Sequence, residues 1–479
     1  MNDQSRNAKD EAARTRRQLN RLRGRIERLE RRYDRLRRWA IIAVTPALVI
    51  LSPIVIPIAV LRRVRRRSAT SMAPAVASVQ SPREIQHRTT PAQPSGQAQR
   101  TLVHDAFLLA RDQGHDAALE LLDAHANLVP AGGRAMFEAL GAGNDDAWLA
   151  AMNRWTVARG LPRIQLAPGD RPRFHRISFE PVPSAAAPDL ITVIVPCFNA
   201  ESGVERAIDS ILAQTWQNIE VIAVNDASSD ATGSILDRLA TKDRRLRVLQ
   251  NARNVGPFVS KNRALGMASG RYVTGHDADD IAFPDWLATQ MQPILNNAGI
   301  KATISVMVRL DEDGRFAFPA RIGNVSHDGI ERIAPISLLI ERAVLLATLG
   351  AWNSVRFGSD TEMLTRTQDL LGDGLHEIRR ATMLCLSSAT GLTNHPDHGV
   401  NFQTGLSQTR LDYKASWRAW HERTAPGHRY LPFPPLGSPF PVPEIMRVPD
   451  EDILAVLAED MPDPSSAMRR LHETTSAEG

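Results

Sequence analysis

From Leu190 onward, short apolar runs alternate with stretches of helical period, and few folds can accommodate that alternation. The runs ITVIVP (191–196), IEVIAVND (219–226), LRVLQN (246–251) and RYVTGHD (271–277) have the length and branching of buried strands. Between and after them, residues 202–213, 230–241, 257–269 and 285–297 repeat apolar side chains at three- and four-residue spacing, which predicts helices. Strand, helix, strand in series predicts an α/β domain with a mostly parallel sheet flanked by helices. Ligands of such sheets bind beyond the carboxyl ends of the strands. Asn199, Asp226 and the group Asp277, Asp279, Asp280 all fall at such ends.

The stretch SGRYVTGHDADD (269–280) places three carboxylates within four positions, directly after an apolar strand. Carboxylates held together repel one another, so a chain tolerates the cluster if the loop is fully solvated or if a cation neutralises it. An acidic turn taken alone favours the solvated reading. Its place at a strand end, level with Asp226 and Asn199, favours a bound divalent cation. Hard oxygen ligands spaced this way suit Mg2+ or Mn2+ shared with a phosphate group.

Two longer stretches, ITVIVPCFNAESGVERAIDSILAQTWQNIEVIAVNDASSDAT and NARNVGPFVSKNRALGMASGRYVTGHDADD, resemble family 2 of the glycosyltransferases, whose fold is GT-A. The resemblance is close over 190–290 and weaker to about 425. It rests on P-x-F-N, Q-T-x-x-N-x-E, V-x-D-x-S-x-D and D-x-D-D in this order. It implies that Pro196, Phe198 and Asn199 line the base and ribose of a nucleotide-diphosphate sugar. Asp226 would accept a hydrogen bond from the imide of uracil or thymine, so a UDP-sugar is favoured. Asp279, with Asp277, would hold Mn2+ or Mg2+ on the diphosphate, Asp277 being shared with the ribose, and Asp280 would only shape the loop. Where the family commonly has Arg-Asn this chain has Lys261-Asn262, so any contact from Lys261 to phosphate loses the bidentate geometry of a guanidinium.

The same resemblance points to Asp360, in WNSVRFGSDTEMLTR, as the carboxylate that takes the acceptor's proton in an inverting transfer. A helix start explains the residue equally simply, because Ser359 and Glu362 have capping-box spacing and Asp is favoured in a first turn. Glu362 is accordingly expected to be a cap. His395 and His398 could ligate a metal or touch the acceptor, although a polar loop is the simpler reading. Residues 405–422 form an amphipathic helix in which Tyr413, Trp417 and Trp420 read as packing. The Pro-rich run after it is expected to wrap the surface, with a loosely ordered tail.

Upstream, the chain divides by composition. Residues 1–38 are Arg-rich with an a/d-like seam (Leu19, Leu22, Ile26, Leu29, Tyr33, Leu36), consistent with a homodimeric coiled coil through 12–38 or with a basic helix lying on lipid. Residues 39–61 carry no charge and are long enough for one bilayer crossing, yet Pro46, Pro53 and Pro57 and arginines on both flanks suit a re-entrant wedge as well. Residues 62–100 read as a basic, then Ser/Pro/Ala/Gln-rich tether, 101–188 as a small helical region, 189–425 as the GT-A domain and 426–479 as an extension.

Residues 1–70 hold 19 Lys and Arg against 6 Asp and Glu, so the positive charge is confined to that end and the remainder is net acidic. That distribution argues against a nucleic-acid partner. Two distant cysteines, Cys197 and Cys385, suggest neither a disulfide framework nor a zinc site. The expected protein is membrane-associated with a cytoplasmic catalytic domain, acting on a glycan or lipid-linked acceptor. Two alternatives remain, a non-catalytic nucleotide-binding scaffold and a nucleotidyltransferase; the absence of a Gly-rich basic loop after the first strand disfavours the second. No G-x-G-x-x-G follows a strand, which disfavours an NAD enzyme.

Overall fold

The computed structural model describes residues 96–317, 319, 325–388, 391–401, 405–433 and 435–458. The expected coiled coil and membrane segment lie outside the described residues, and among the described residues no helix is long and apolar enough to cross a membrane.

Four helices come first: α1 (Gly96–Gln113), α2 (His115–Ala124), α3 (Gly133–Leu140) and α4 (Asp145–Ala158), followed by the small antiparallel pair β1 (Ile164–Leu166) and β2 (Ile177–Phe179). Helix α1 begins inside the stretch that composition assigned to the tether. Asn144 caps α4, its side-chain oxygen accepting from Ala147 N at 2.9 Å. This layer has no separate core. Met136, Phe137, Trp148 and Trp155 pack in one cluster with Phe283, Val306, Val308, Leu310 and Leu384 of the following domain. Each such side chain contributes about 1.5 to 3 kcal/mol by burial, so the layer is an integral part of the fold. The Trp148 indole N–H donates to Gly314 O at 2.8 Å, and Arg380 bridges Asp285 (2.7 Å) and Gly160 O (3.0 Å).

The main sheet has the strand order β5-β4-β3-β6-β10-β8-β11-β7, with β9 (Arg332–Ile333) beside β8. Its first half is the alternation read from the sequence: β3 (Ile191–Cys197), α5 (Val204–Leu212), β4 (Ile219–Asn225), α6 (Thr232–Lys242), β5 (Leu246–Gln250), α7 (Pro257–Met267) and β6 (Tyr272–Gly275). These strands are parallel, and β3 is buried along almost its whole length because helices cover both faces. Register fixes function here: Cys197 pairs with Asn225, and Ile194 with Gly275. The loops carrying Asn199, Asp226 and Asp277 therefore leave the sheet at one edge.

The second half of the sheet departs from simple alternation. After β7 (Ile281–Ala282) and α8 (Trp286–Asn296), β8 (Ala302–Leu310) and β11 (Leu375–Leu386) run parallel to each other, while β10 (Leu339–Glu341) is antiparallel to both β6 and β8. Two inversions restore direction, so β8 and β11 point the same way as β6.

Helices α9 (Ser359–Leu371), α10 (Gln408–Arg423) and α11 (Asp450–Ala458) complete the chain. Tyr413, Trp417 and Trp420 are buried packing residues, as their spacing implies. The Pro-rich extension is not an outer wrap. Phe440, Val442, Met446 and Val448 enter the same core cluster as Trp417 and Leu349, because apolar residues alternate with prolines that hold the chain extended without ladder hydrogen bonds.

The expected capping box is also absent. Gly358, at φ 90°, is the cap residue of α9, and Glu362 is fully buried, paired with Arg366 (3.0 Å) and His421 (3.1 Å). Arg366 further donates to the carbonyls of Leu349 and Ala351, so one buried ion pair binds α9, α10 and the preceding loop together. Replacing Glu362 with Ala strands that guanidinium. The expected loss is about 3 to 5 kcal/mol of unfolding free energy, measurable by denaturant titration.

Candidate donor and metal site

The loop after β3 turns sharply. Asn199 adopts φ 47°, a left-handed conformation that Asn tolerates better than most residues. Its side-chain oxygen accepts from Ser229 N at 2.9 Å and its own N–H donates to Ser228 Oγ at 3.0 Å, tying this loop to the one after β4. Beside it the Phe198 ring is 51% exposed at the sheet edge, an aromatic face open to a planar ligand. Pro196, half-buried, ends the straight part of β3.

Asp226 is tied into its own fold. It is buried, and its carboxylate accepts from Asn251 Nδ2 (2.6 Å), Val255 N (3.1 Å) and Gly256 N (2.7 Å). Burial raises its pKa, opposed by those hydrogen bonds. With about four lone-pair sites on a carboxylate, most of its capacity is spent on the loop entering α7. It therefore anchors that loop.

The acidic turn lies against the start of α5. A Cβ on Gly203 would come within 3.1 Å of Asp279 Cα, so only glycine permits this approach without a shift. Asp277 and Asp279 are half-buried, and among the described residues no donor from another residue is hydrogen-bonded to either carboxylate. Burial, reinforced by Asp277, pushes the Asp279 carboxyl up to about 6. Asp277 is also raised by burial, with Lys261 opposing and Asp360 reinforcing the shift. Asp280 is distinct: it is buried, and its Oδ1 accepts from Leu386 N at 2.9 Å, so it fastens the turn to β11 and shapes the loop.

Two unsatisfied, half-buried carboxylates one residue apart, carrying raised pKa values, are a donor set that a divalent cation would satisfy. Asp277 and Asp279 thus fit Mg2+ or Mn2+.

Three cations face the cluster from different elements. Lys261 of α7, 4% exposed, rests on the Phe258 ring at 4.9 Å and acts on Asp277. The sequence reading gave it a phosphate contact, but its burial makes it first a counter-charge to the turn. Arg309 of β8 lowers all three aspartates. Arg206 of α5 is depressed to about 10 by burial, and its charge acts on Asp279 and Asp280. Nothing local in the sequence marks Arg206 or Arg309, because each reaches the turn only through the tertiary fold.

His276 is a further residue that the sequence did not single out. Fully buried, it donates Nδ1–H to Asp277 O at 2.7 Å and leans on Trp286, ring centroids 5.4 Å apart. Burial lowers its pKa to about 4, so it is a neutral wedge that fixes the backbone of the first aspartate.

Asp360 sits half-buried in the first turn of α9, with Oδ1 accepting from Thr361 N at 2.8 Å. It is close enough for its charge to act on Asp277. The preceding loop is held by α7: Asn262 Nδ2 donates to Trp352 O and Asn262 Oδ1 accepts from Trp352 N, both at 2.9 Å. Neighbouring residues of one helix therefore address both halves of the site, Lys261 the acidic turn and Asn262 the Asp360 segment.

His395, Asp397 and His398 bring their ligand atoms within 4.8 Å of one another. The two rings stack at 4.8 Å, and Phe357 stacks on His398 at 6.0 Å. Arg410, over the Phe357 ring, donates to His398 O (2.6 Å) and Leu392 O (2.9 Å), which seats this loop beside Asp360.

Residues 192–336 match the family model described as glycosyl transferase family 2. That span contains Asn199, Asp226, Lys261, Asp277 and Asp279, and ends before Asp360. An uncharacterized glycosyltransferase of Haemophilus influenzae is 43% identical over 98 residues, 20% of this chain and 30% of that protein. Glycosyltransferase GlyG of Streptococcus pneumoniae is 36% identical over 131 residues, 27% of this chain and 43% of that protein. The chain thus spans less than half the length of these curated relatives. Among solved structures, S. aureus TarS 1-349 in complex with UDP-GlcNAc aligns at 20% identity and TM-score 0.35, covering 47% of this chain and 63% of that one. The family 2 region thus coincides with the mixed α/β half of the fold that carries the acidic turn.

Replacing His276 with Phe keeps the contact with Trp286 but removes the hydrogen bond to Asp277 O. Mn2+ affinity, read by electron paramagnetic resonance, should fall about tenfold, as expected when a residue orienting a ligand is lost, while His276→Asn, which retains a donor, should fall less. Protons compete with the ion at Asp279, so parent affinity should decline as pH drops through about 6 rather than near 4.

Proposed function

We propose that the protein is a metal-dependent glycosyltransferase that moves a sugar from a nucleotide-diphosphate sugar, a UDP-sugar by preference, to a glycan or lipid-linked acceptor with inversion at the anomeric carbon. The observation that carries this reading is the meeting of Asp277, Asp279 and Asp360 at one sheet edge, from segments 80 residues apart in sequence, beside the exposed Phe198 ring. The family 2 region supports the reaction class.

In this reading Phe198 and Pro196 flank the base, and Asn199 keeps their loop in its turned conformation. Asp279 and Asp277 would hold Mn2+ or Mg2+, which would offset the charge of the departing diphosphate. The acceptor hydroxyl oxygen attacks the anomeric carbon, the bond from that carbon to the diphosphate oxygen breaks, and the hydroxyl proton passes to Asp360. Lys261 balances Asp277 before the donor arrives and stands behind the diphosphate once it is bound.

The basic, apolar N-terminal segment supports a membrane association that would bring a cytoplasmic donor and a lipid-linked acceptor to one surface, with the tether allowing the catalytic domain to reach both. Pairing of two chains through residues 12–38 belongs to the same proposal.

Asp360→Asn should lower transfer by about 10²- to 10⁴-fold with donor binding unchanged, measured by product formation and by calorimetry with UDP and Mn2+. Near-normal turnover would remove Asp360 from the mechanism. Asp279→Ala should abolish Mn2+-dependent hydrolysis across a panel of nucleotide sugars; hydrolysis equal to that of the parent would sink the metal reading.

A further inference from the structure

Helices α1 and α3 and the turn after β8 line an open cavity of about 650 Å³. We propose that this cavity is a binding site for the uncharged sugar units of a glycan, an extension of the acceptor side of the site; the acceptor role rests on the transferase reading above, whereas sugar binding itself does not.

Its position is the first argument. Asp311 and Ser387 follow the last residues of β8 and β11, whose carboxyl ends share the edge occupied by the acidic turn. Ser387 Oγ also accepts from Asn394 Nδ2 at 3.0 Å, and Asn394 belongs to the loop that carries His395 and His398. The cavity wall is therefore continuous with the loop beside Asp360.

Its chemistry is the second. The half-buried Phe107 contributes aromatic surface, backed edge to face at 5.9 Å by the buried Phe316. At the rim, Arg111 pairs with Asp112 at 2.6 Å, Arg315 pairs with Asp313 at 2.8 Å, and Arg315 N donates to Asp311 at 2.8 Å. Asp311 lines the cavity, and Asp112 and Asp313 stand behind the two guanidinium groups, so the charge that Arg111 and Arg315 bring to the wall is largely cancelled. A phosphate-rich ligand would find both guanidinium groups already paired. Sugar hydroxyls donate and accept at once, and matched Arg–Asp pairs satisfy both roles, while the apolar face of a ring can rest on Phe107. The volume lies within the range of small-ligand sites.

Gly143 lines the cavity, and a Cβ placed there meets nothing within 4 Å. Gly143→Trp should fill the space without disturbing the core. Arg315→Ala removes one polar pair from an exposed position and serves as a second variant should the first misfold.

The test titrates the full-length protein with a β-linked glucose trisaccharide, a β-linked N-acetylglucosamine trisaccharide and tripolyphosphate, followed by calorimetry, with UDP and Mn2+ binding measured in parallel. At least one trisaccharide should bind the parent, at least tenfold more weakly Gly143→Trp, and more weakly Arg315→Ala, with UDP and Mn2+ binding equal in all three. No binding of either trisaccharide, binding indifferent to both substitutions, or tighter binding of tripolyphosphate would overturn the proposal. Loss of UDP and Mn2+ binding in the parent would instead overturn the transferase reading.

Discussion

The mutual repulsion of Asp277, Asp279 and Asp280 is the constraint around which the rest of the site is arranged. Three carboxylates cannot be brought together at a partly dry strand end unless their charge is met from elsewhere. The fold meets it in two ways. Asp280 is taken out of the cluster by burial against β11, where Leu386 N satisfies it. Asp277 and Asp279 are left without hydrogen-bond donors from other described residues, but within the field of Lys261, Arg309 and Arg206. Those cations come from α7, β8 and α5, so the turn keeps its shape only if the helices and the second half of the sheet are in place.

Helix α7 carries much of that burden. Asp226 and Asn251 fix the loop through which it begins, Lys261 points its charge at the acidic turn, and Asn262 grips Trp352 on the way to Asp360. A shift of α7 would move the two halves of the site relative to each other. Such a shift is opposed from the far side by the buried pair of Glu362 and Arg366, which seats α9. The acidic turn and the Asp360 segment are thus both fixed by packed helices.

Much of this was legible in the residues. Strands β3 to β6 and helices α5 to α8 lie where apolar periodicity put them, and Asp277 and Asp279 stand out by their spacing and position. The failures have a common physical origin. Ser359 and Glu362 satisfy the spacing of a capping box, but Arg366 one turn away competes for the same carboxylate and wins by burial. Asp226 lies at the strand end that the sequence marks, but its anchoring of the next loop through two backbone N–H groups carries no local signal. The prolines of 434–443 suggest an outer strap, whereas the apolar residues between and after them are drawn into the core.

The sequence by itself determined the local periodicities, the strand ends at which chemistry could occur and the acidic spacing suited to a cation, because these depend on residues within a turn or two of one another. Only the tertiary structure decided which charges answer that acidity, that Asp360 stands within electrostatic reach of Asp277, and that a helical layer without a core of its own joins the sheet to line an open cavity. Those outcomes depend on contacts between segments tens to hundreds of residues apart, and no local pattern encodes which distant side chain will arrive.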